Sequence, residues 1–200
     1  MLIGGLLAGV MYSLVALGFV LIYKASGVFN FAQGAMVFLA ALTFVSLLER
    51  GVNFWIALAV TLAVMVVLGI AIEKVVLRPL VNQPPITLFM ATIGLTFVLE
   101  GLSQLVWGSQ PHGLELGITD VTMEWLSQKW NVNVSQFEIF AAGVAGAMVS
   151  SLALFFQYTR IGRALRAVAD DHQAALAVGI PLKNIWAIVW SVAGFVALVA

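Results

Sequence analysis

Six stretches without a charged side chain divide this sequence: 2–23, 25–48, 51–72, 79–99, 139–159 and 184–200. A helix needs about 20 consecutive apolar residues to cross the hydrocarbon core of a bilayer. Five stretches reach that length and the sixth falls just short of it. Hydrocarbon offers a bare backbone no hydrogen-bond partner, so each stretch is predicted to be helical. The expected fold is all-α: a polytopic membrane protein with about six transmembrane helices, forming one domain over residues 1–200. No basic residue precedes the first stretch, so it reads as a retained span rather than a cleaved leader. The last stretch has neither a polar flank nor a partner span, and the expectation is that further helices follow Ala200.

Composition removes the soluble alternative. Hydrophobic residues make up 62% of the chain and charged residues 9%, whereas a soluble domain carries about 25% charged residues. A zero formal net charge argues against nucleic acid as a partner. The chain has no cysteine, which excludes disulfides, thiolate metal sites and a cysteine nucleophile. No metal or cofactor is expected.

The few charges are sorted by side. Lys24 follows span one, Lys74 and Arg78 follow span three, and Arg160, Arg163, Arg166 and Lys183 lie between spans five and six. These alternate connections hold seven of the nine basic residues, leaving Arg50 and Lys129 for the opposite side. Basic residues near span ends stay in the cytoplasm, so the N-terminus is predicted to be extracytoplasmic. Segment 108–136 then becomes an extracytoplasmic loop, with Glu115, Asp120 and Glu124. Its Trp125 and Trp130 suit the headgroup level. His112 has no second ligand at metal spacing and is expected to be solvated.

Polar groups inside the spans are the first candidates for chemistry. Gly5 and Gly9 give a spacing that lets helices approach closely, and Tyr12 and Ser13 add polarity in mid-span. Asn30 and Gln33 are three residues apart and share a helical face. Their amides, beside Gly27 and Gly34, suggest a broken start to span two. Such amides suit a zwitterionic or amide solute, and equally a neighbouring helix backbone; the pattern leaves both open. Span four starts at Gln83-Pro84-Pro85, with proline in the first turn. Thr92, Thr96 and Glu100 recur every four residues and form one stripe. A carboxylate at the bilayer centre costs about 2.5–3.5 kcal/mol, so Glu100 either faces protein or water, or is interfacial because span four ends early.

The most distinctive segment is the polar island 159–183. A helix over 162–178 would put Ile161, Leu165, Val168, Ala169 and Leu176 on one loose apolar face. Arg163, Arg166 and Asp170 would lie opposite. Arginines near the N-terminus with aspartates after them oppose the helix dipole, and Arg166 before Asp170 is the weaker order for a pair four apart. These charges are therefore expected to be satisfied from outside their own helix. Gly179-Ile180-Pro181 supplies a stop.

Gln173-Ala174-Ala175-Leu176-Ala177-Val178-Gly179 resembles the Glu-Ala-Ala loop of ABC importer permeases, with glutamine where glutamate is usual. Three further motifs are similar to those of the branched-chain amino acid (LivH-type) permeases: Val28-Phe29-Asn30-Phe31-Ala32-Gln33-Gly34, Glu73-Lys74-Val75-Val76-Leu77-Arg78-Pro79, and Tyr158-Thr159-Arg160-Ile161-Gly162-Arg163-Ala164-Leu165-Arg166-Ala167. They occur in the family's order, although Gln33-Gly34-Ala35 stands where histidine and Gly-Glu are common. The resemblance implies a non-enzymatic permease subunit in the cell inner membrane. Its implied partners are a second permease subunit, two cytoplasmic ABC ATPases and an extracytoplasmic solute-binding protein, within membrane lipid. The implied ATPase-coupling residues are Arg160, Gly162, Arg163, Arg166, Asp170, Asp171, Ala174, Ala175 and Gly179. Candidate pathway residues are Tyr12, Asn30, Gln33, Thr92, Thr96 and Glu100. The implied solute is leucine, isoleucine or valine; related permeases carry urea or short amides. A passive channel would need no cytoplasmic docking helix, and an intramembrane enzyme would need paired catalytic groups where only Glu100 is present.

Overall fold

A computed structural model describes residues 2–27, 29–80, 83–110, 113, 136–170 and 182–200. Among these residues the regular structure is helical throughout. The elements are α1 (Leu2–Ser26), α2 (Gln33–Glu49), α3 (Phe54–Ala71), a π-helical turn (Ile72–Leu77), a 3-10 turn (Arg78–Leu80), α4 (Pro85–Trp107), α5 (Gln136–Tyr158), α6 (Arg160–Asp170) and α7 (Leu182–Val199). Each of the six charge-free stretches yields one apolar helix. Four described helices are long and apolar enough to cross a membrane, while α2 and the apolar part of α7 are shorter. In those four only 17–28% of the apolar window is buried within the chain. The remaining surface carries exposed side chains such as Leu6, Val67, Phe97 and Leu105, an outer face suited to lipid or to other helices. The fold is that of a polytopic helical membrane protein.

Local chemistry sets the helix ends. Gly27, at φ 71°, stops α1 in the left-handed conformation that glycine adopts without a Cβ penalty. Ala25 and Ser26 therefore complete α1, and the second apolar stretch becomes helical only from Gln33. The break expected near Gly27 is present, but Gly34 lies inside the first turn of α2. At the far end of α2, Val52 N–H donates to Leu47 O (3.1 Å) and Gly51 N–H to Leu48 O (2.8 Å). This is a Schellman closure. Asn53 follows at once as the cap of α3, its Oδ1 accepting from Trp55 N at 3.0 Å. Proline opens α4 as expected, with Pro84 as its cap.

Close packing centres on α3 and α7, the most extensively contacting pair. A Cβ at Gly69 would lie 2.6 Å from Trp190 O, and one at Gly194 would lie 2.7 Å from Met65 O. Small residues let these two backbones touch, which is how helices gain packing energy in lipid. Gly5 and Gly9, the pair expected to do this, meet none of the described residues. The larger buried cluster gathers Ile22 of α1, Met36 of α2, Met65 of α3, Leu77 of the π turn, Leu88 of α4, Leu165 and Val168 of α6, and Trp190 of α7. A smaller one joins Leu14, Met148, Leu152 and Val196 across α1, α5 and α7.

Candidate functional site

Two polar constructions stand out from this apolar bundle. The first is a node in the turn before α2. Asn30 and Gln33 are fully buried. Asn30 Oδ1 accepts from Ala32 N (3.1 Å) and so shapes the turn. Its Nδ2 donates to Gln33 Oε1 (3.2 Å) and makes a long contact with Met36 Sδ. Gln33 Nε2 donates in turn to Ala193 O of α7 at 3.4 Å. The Gln33 amide rests on the bare Cα of Gly18 in α1, where a Cβ would come within 2.7 Å of Gln33 Cδ. From α4, Thr92 Oγ1 donates to Phe29 O (3.1 Å) and also lies 2.9 Å from Phe89 O. One short turn is thus tied to α1, α4 and α7.

The same turn points its aromatic rings outward. Phe29 stacks on Tyr23 at 4.4 Å between centroids, and Phe31 meets Phe89 edge-to-face at 4.8 Å and Phe19 at 6.3 Å. Tyr23, Phe29 and Phe31 are each substantially exposed. Sequence reasoning chose the amides and passed over these rings. The alternation Phe29-Asn30-Phe31, which sends neighbours to opposite sides, was the available signal.

The π turn holds an ion pair of its own. Arg78 Nη2 donates to Glu73 Oε2 (2.8 Å) and Arg78 Nε to Glu73 Oε1 (3.1 Å). Glu73 is 1% exposed, whereas the Arg78 side chain is 38% exposed. In a π turn the hydrogen bonds run between residues five apart, and Arg78 N–H donates to Glu73 O. That geometry brings two side chains five apart to one side.

The second construction is the corner between α5 and α6. Thr159 alone separates the two helices. Its hydroxyl lies 2.7 Å from Phe155 O and accepts from Gly162 N at 3.0 Å, so one side chain bonds the end of α5 and caps α6. A Cβ at Gly162 would fall on Phe156 O and 2.5 Å from Phe156 Cα; only glycine lets α6 fold back this closely. Arg163 Nη1 donates to Tyr158 O (3.3 Å) and Arg166 Nη2 to Gln157 O (3.1 Å). Both acceptors belong to the last turn of α5, whose carbonyls lack partners within the helix. These two arginines thus bond outside their own helix, and their acceptors lie on the preceding one.

The remaining candidate residues fall as follows. Arg160, Arg163, Arg166 and Asp170 are exposed on α6, and Gly162, Leu165 and Val168 are buried under it. Ile161, expected on the apolar face, is exposed instead. Asp171, Ala174, Ala175 and Gly179 lie outside the described residues, as do 171–178 of the expected helix and most of the 108–136 loop. Thr96 is half-buried and lies 3.1 Å from Thr92 O. Tyr12 is 75% exposed on α1, and Glu100 is exposed on α4. The structure therefore gathers Asn30, Gln33 and Thr92 at one node, and leaves Tyr12 and Glu100 on open faces.

The model of the family described as "Branched-chain amino acid transport system / permease component" matches residues 1–200. The chain belongs to that family. Among curated proteins it is similar to the high-affinity branched-chain amino acid transport system permease protein LivH of Escherichia coli K12, at 25% identity over 98% of the chain and 67% of the relative. It is also similar to BraD of Pseudomonas aeruginosa, a permease protein of the same description, at 27% identity over 100% of the chain and 68% of the relative. The fructose import permease protein FruF of Bifidobacterium longum matches at 24% identity over 94% of the chain and half of its own length. The chain spans about two thirds of the length of LivH and BraD. No solved structure matches it. By family it is a permease component, and by fold a multi-pass helical membrane protein.

Proposed function

We propose that this chain is a permease subunit of an ATP-binding-cassette importer for leucine, isoleucine and valine in the cell inner membrane. The observation that carries this reading is the family match across the whole chain, with relatives named for branched-chain amino acid transport. The N-terminus lies outside, so the turn after α1, the π turn and α6 face the cytoplasm, following the bias of basic residues. Two permease subunits, identical or different, enclose the path. A binding protein delivers solute to the outer face, and two ATPases dock on the 159–183 loops. The partner ATPases hydrolyse ATP, and this chain converts their nucleotide state into a choice between two conformations.

The solute would pass along surfaces the chain leaves open, with Tyr12, Thr96 and Glu100 as the polar candidates. Asn30, Gln33 and Thr92, bonded as they are to neighbouring helices, would hold those surfaces in place. Exposed Arg160 and Asp170 would meet the ATPase, with Asp171, Ala174, Ala175 and Gly179 completing the docking surface. ATP-dependent uptake of radiolabelled leucine into vesicles carrying the co-purified complex tests this reading. It fails if no ATPase co-purifies, or if leucine neither enters nor competes.

A second reading keeps the machinery and changes the solute. FruF, named for fructose, is a relative over nearly the whole chain, so this architecture accommodates other cargo. Urea and short amides are the alternatives that would suit amide side chains. Competition of labelled leucine uptake by unlabelled urea, acetamide and fructose separates these cases.

A further inference from the structure

We infer that the α5–α6 corner is a rigid bracket that makes α5 move with the docking helix, and that Thr159, Gly162, Arg163 and Arg166 are its positioning residues rather than ATPase contacts. The inference rests on the proposed function for what pulls on α6, but its geometry stands independently. Four separate features lock the same angle. Thr159 bonds both helices at once. Gly162 sits against the backbone of Phe156 with no room for a methyl group. Arg163 and Arg166 reach back across the corner to Tyr158 O and Gln157 O. Leu165 and Val168, on the underside of α6, are buried in the main core cluster, with Phe156 of α5 and Ala164 packed against it.

A hinge would show the opposite features: a residue with rotational freedom, space around it, and few bonds across it. Here only Thr159 lies between the two helices, and its hydroxyl is engaged on both sides. The arginine bonds also have an electrostatic sense. The C-terminal end of α5 carries partial negative charge, and cations placed there are favoured. Arg163 and Arg166 are therefore poorly placed for their own helix and well placed for the one before it. A load applied to α6 by a cytoplasmic partner passes directly into α5, and through the smaller core cluster of Leu14, Met148, Leu152 and Val196 into α1 and α7.

Spin-label distance measurement tests the bracket. Residues 1–200 contain no cysteine, so cysteines introduced at Ser150 on α5 and Ala167 on α6 are the only labelling sites within them, and any cysteine elsewhere in the assembly is replaced by serine. In the assembled transporter the bracket gives one narrow distance, the same without nucleotide and with ATP trapped. A distance that changes with nucleotide overturns it. Gly162→Ala should broaden or shift that distance, and uptake per ATP hydrolysed should be lost while the ATPase stays bound and active. Arg163→Gln with Arg166→Gln keeps a neutral donor at each position and should retain uptake. Replacement of both by Met removes the donors and should reduce uptake per ATP. If the Gln pair abolishes ATPase co-purification, the arginines are docking charges and the assignment fails. If Gly162→Ala does not accumulate in the membrane, the wild-type label distance decides alone. A wild-type complex that shows no ATP-dependent leucine uptake sinks the proposed function, whereas a working complex with a flexing corner sinks only the bracket.

Discussion

Gly18 and Gly162 are both glycines at close approaches, but they do different things. Beneath Gly18 lies the amide end of Gln33, a side chain. Beneath Gly162 lies the backbone of Phe156. A methyl group at 18 can be accommodated by turning one amide away, whereas a methyl group at 162 must move a helix. The same division separates the node from the corner as wholes. The node is buried, and Gln33 and Thr92 join it to elements far away in sequence. The corner is partly exposed, and its polar atoms join residues three to nine apart. Long-range ties decide which helices are neighbours; short-range ties decide the angle between consecutive ones.

The largest effect should come from a group with one foot in each environment. Arg78→Ala leaves the buried Glu73 carboxylate without its partner. The expected cost is roughly 2–3 kcal/mol, below the usual range for a broken buried pair because the guanidinium is partly solvated. Glu73→Ala should cost less, since Arg78 can return to water. Unfolding by SDS in mixed micelles, followed by tryptophan fluorescence, measures both, and equal losses would refute the asymmetry.

Next comes Gly162→Ala, for which backbone displacement should cost about 1–3 kcal/mol, partly offset by alanine's better helix propensity of up to about 1 kcal/mol. Gly18→Ala should be close to neutral by the same measure. If the two substitutions destabilise equally, the distinction between side-chain and backbone contact is wrong.

Gln33→Leu should cost about 1 kcal/mol, in line with interhelical hydrogen bonds in membranes. Its effect should shrink in a Gly18→Ala background, because the methyl group already displaces the amide. A double-mutant cycle reads this coupling, and strict additivity would mean that Gln33 is not held where the node places it. Thr92→Val should be milder, about 0.6 kcal/mol, since Thr92 Oγ1 has a second carbonyl acceptor within its own helix. The smallest change expected is Arg166→Gln, a few tenths of a kcal/mol at a solvated helix end, measured by the same unfolding titration.

Much of this was legible in the sequence, for definable reasons. The number of apolar helices among the described residues followed from apolar length, the break before α2 from Gly27 and the start of α4 from Pro84-Pro85, because these signals act through a residue's own backbone. The order of charges in α6 pointed outside that helix, to phosphate headgroups or a protein partner, whereas Arg163 and Arg166 bond the end of α5. It could not name these acceptors, because helix-dipole rules treat one helix at a time and Gln157 and Tyr158 belong to the helix before. Gly18, Gly69 and Gly194 were invisible as contact points for a related reason: a glycine in an apolar run looks the same whether another helix touches it or not. Gly5 and Gly9 show the converse, a favourable spacing with none of the described residues against it.

The π turn has a consequence for the reading frame of the fold. Over Ile72–Leu77 the chain takes one more residue to close each hydrogen-bonded loop than an α-helix does. Removing a single residue between Glu73 and Arg78, such as Val75, would leave composition and hydropathy nearly untouched. It would also let the π turn relax to α-helical spacing, in which residues four apart share a face, so Glu73 and Arg78 would stay on one side while the bulge itself is lost. The motif Glu73-Lys74-Val75-Val76-Leu77-Arg78-Pro79 therefore carries one residue more than its ion pair needs, and that surplus residue is what makes this turn a π turn, a form that gathers at functional sites.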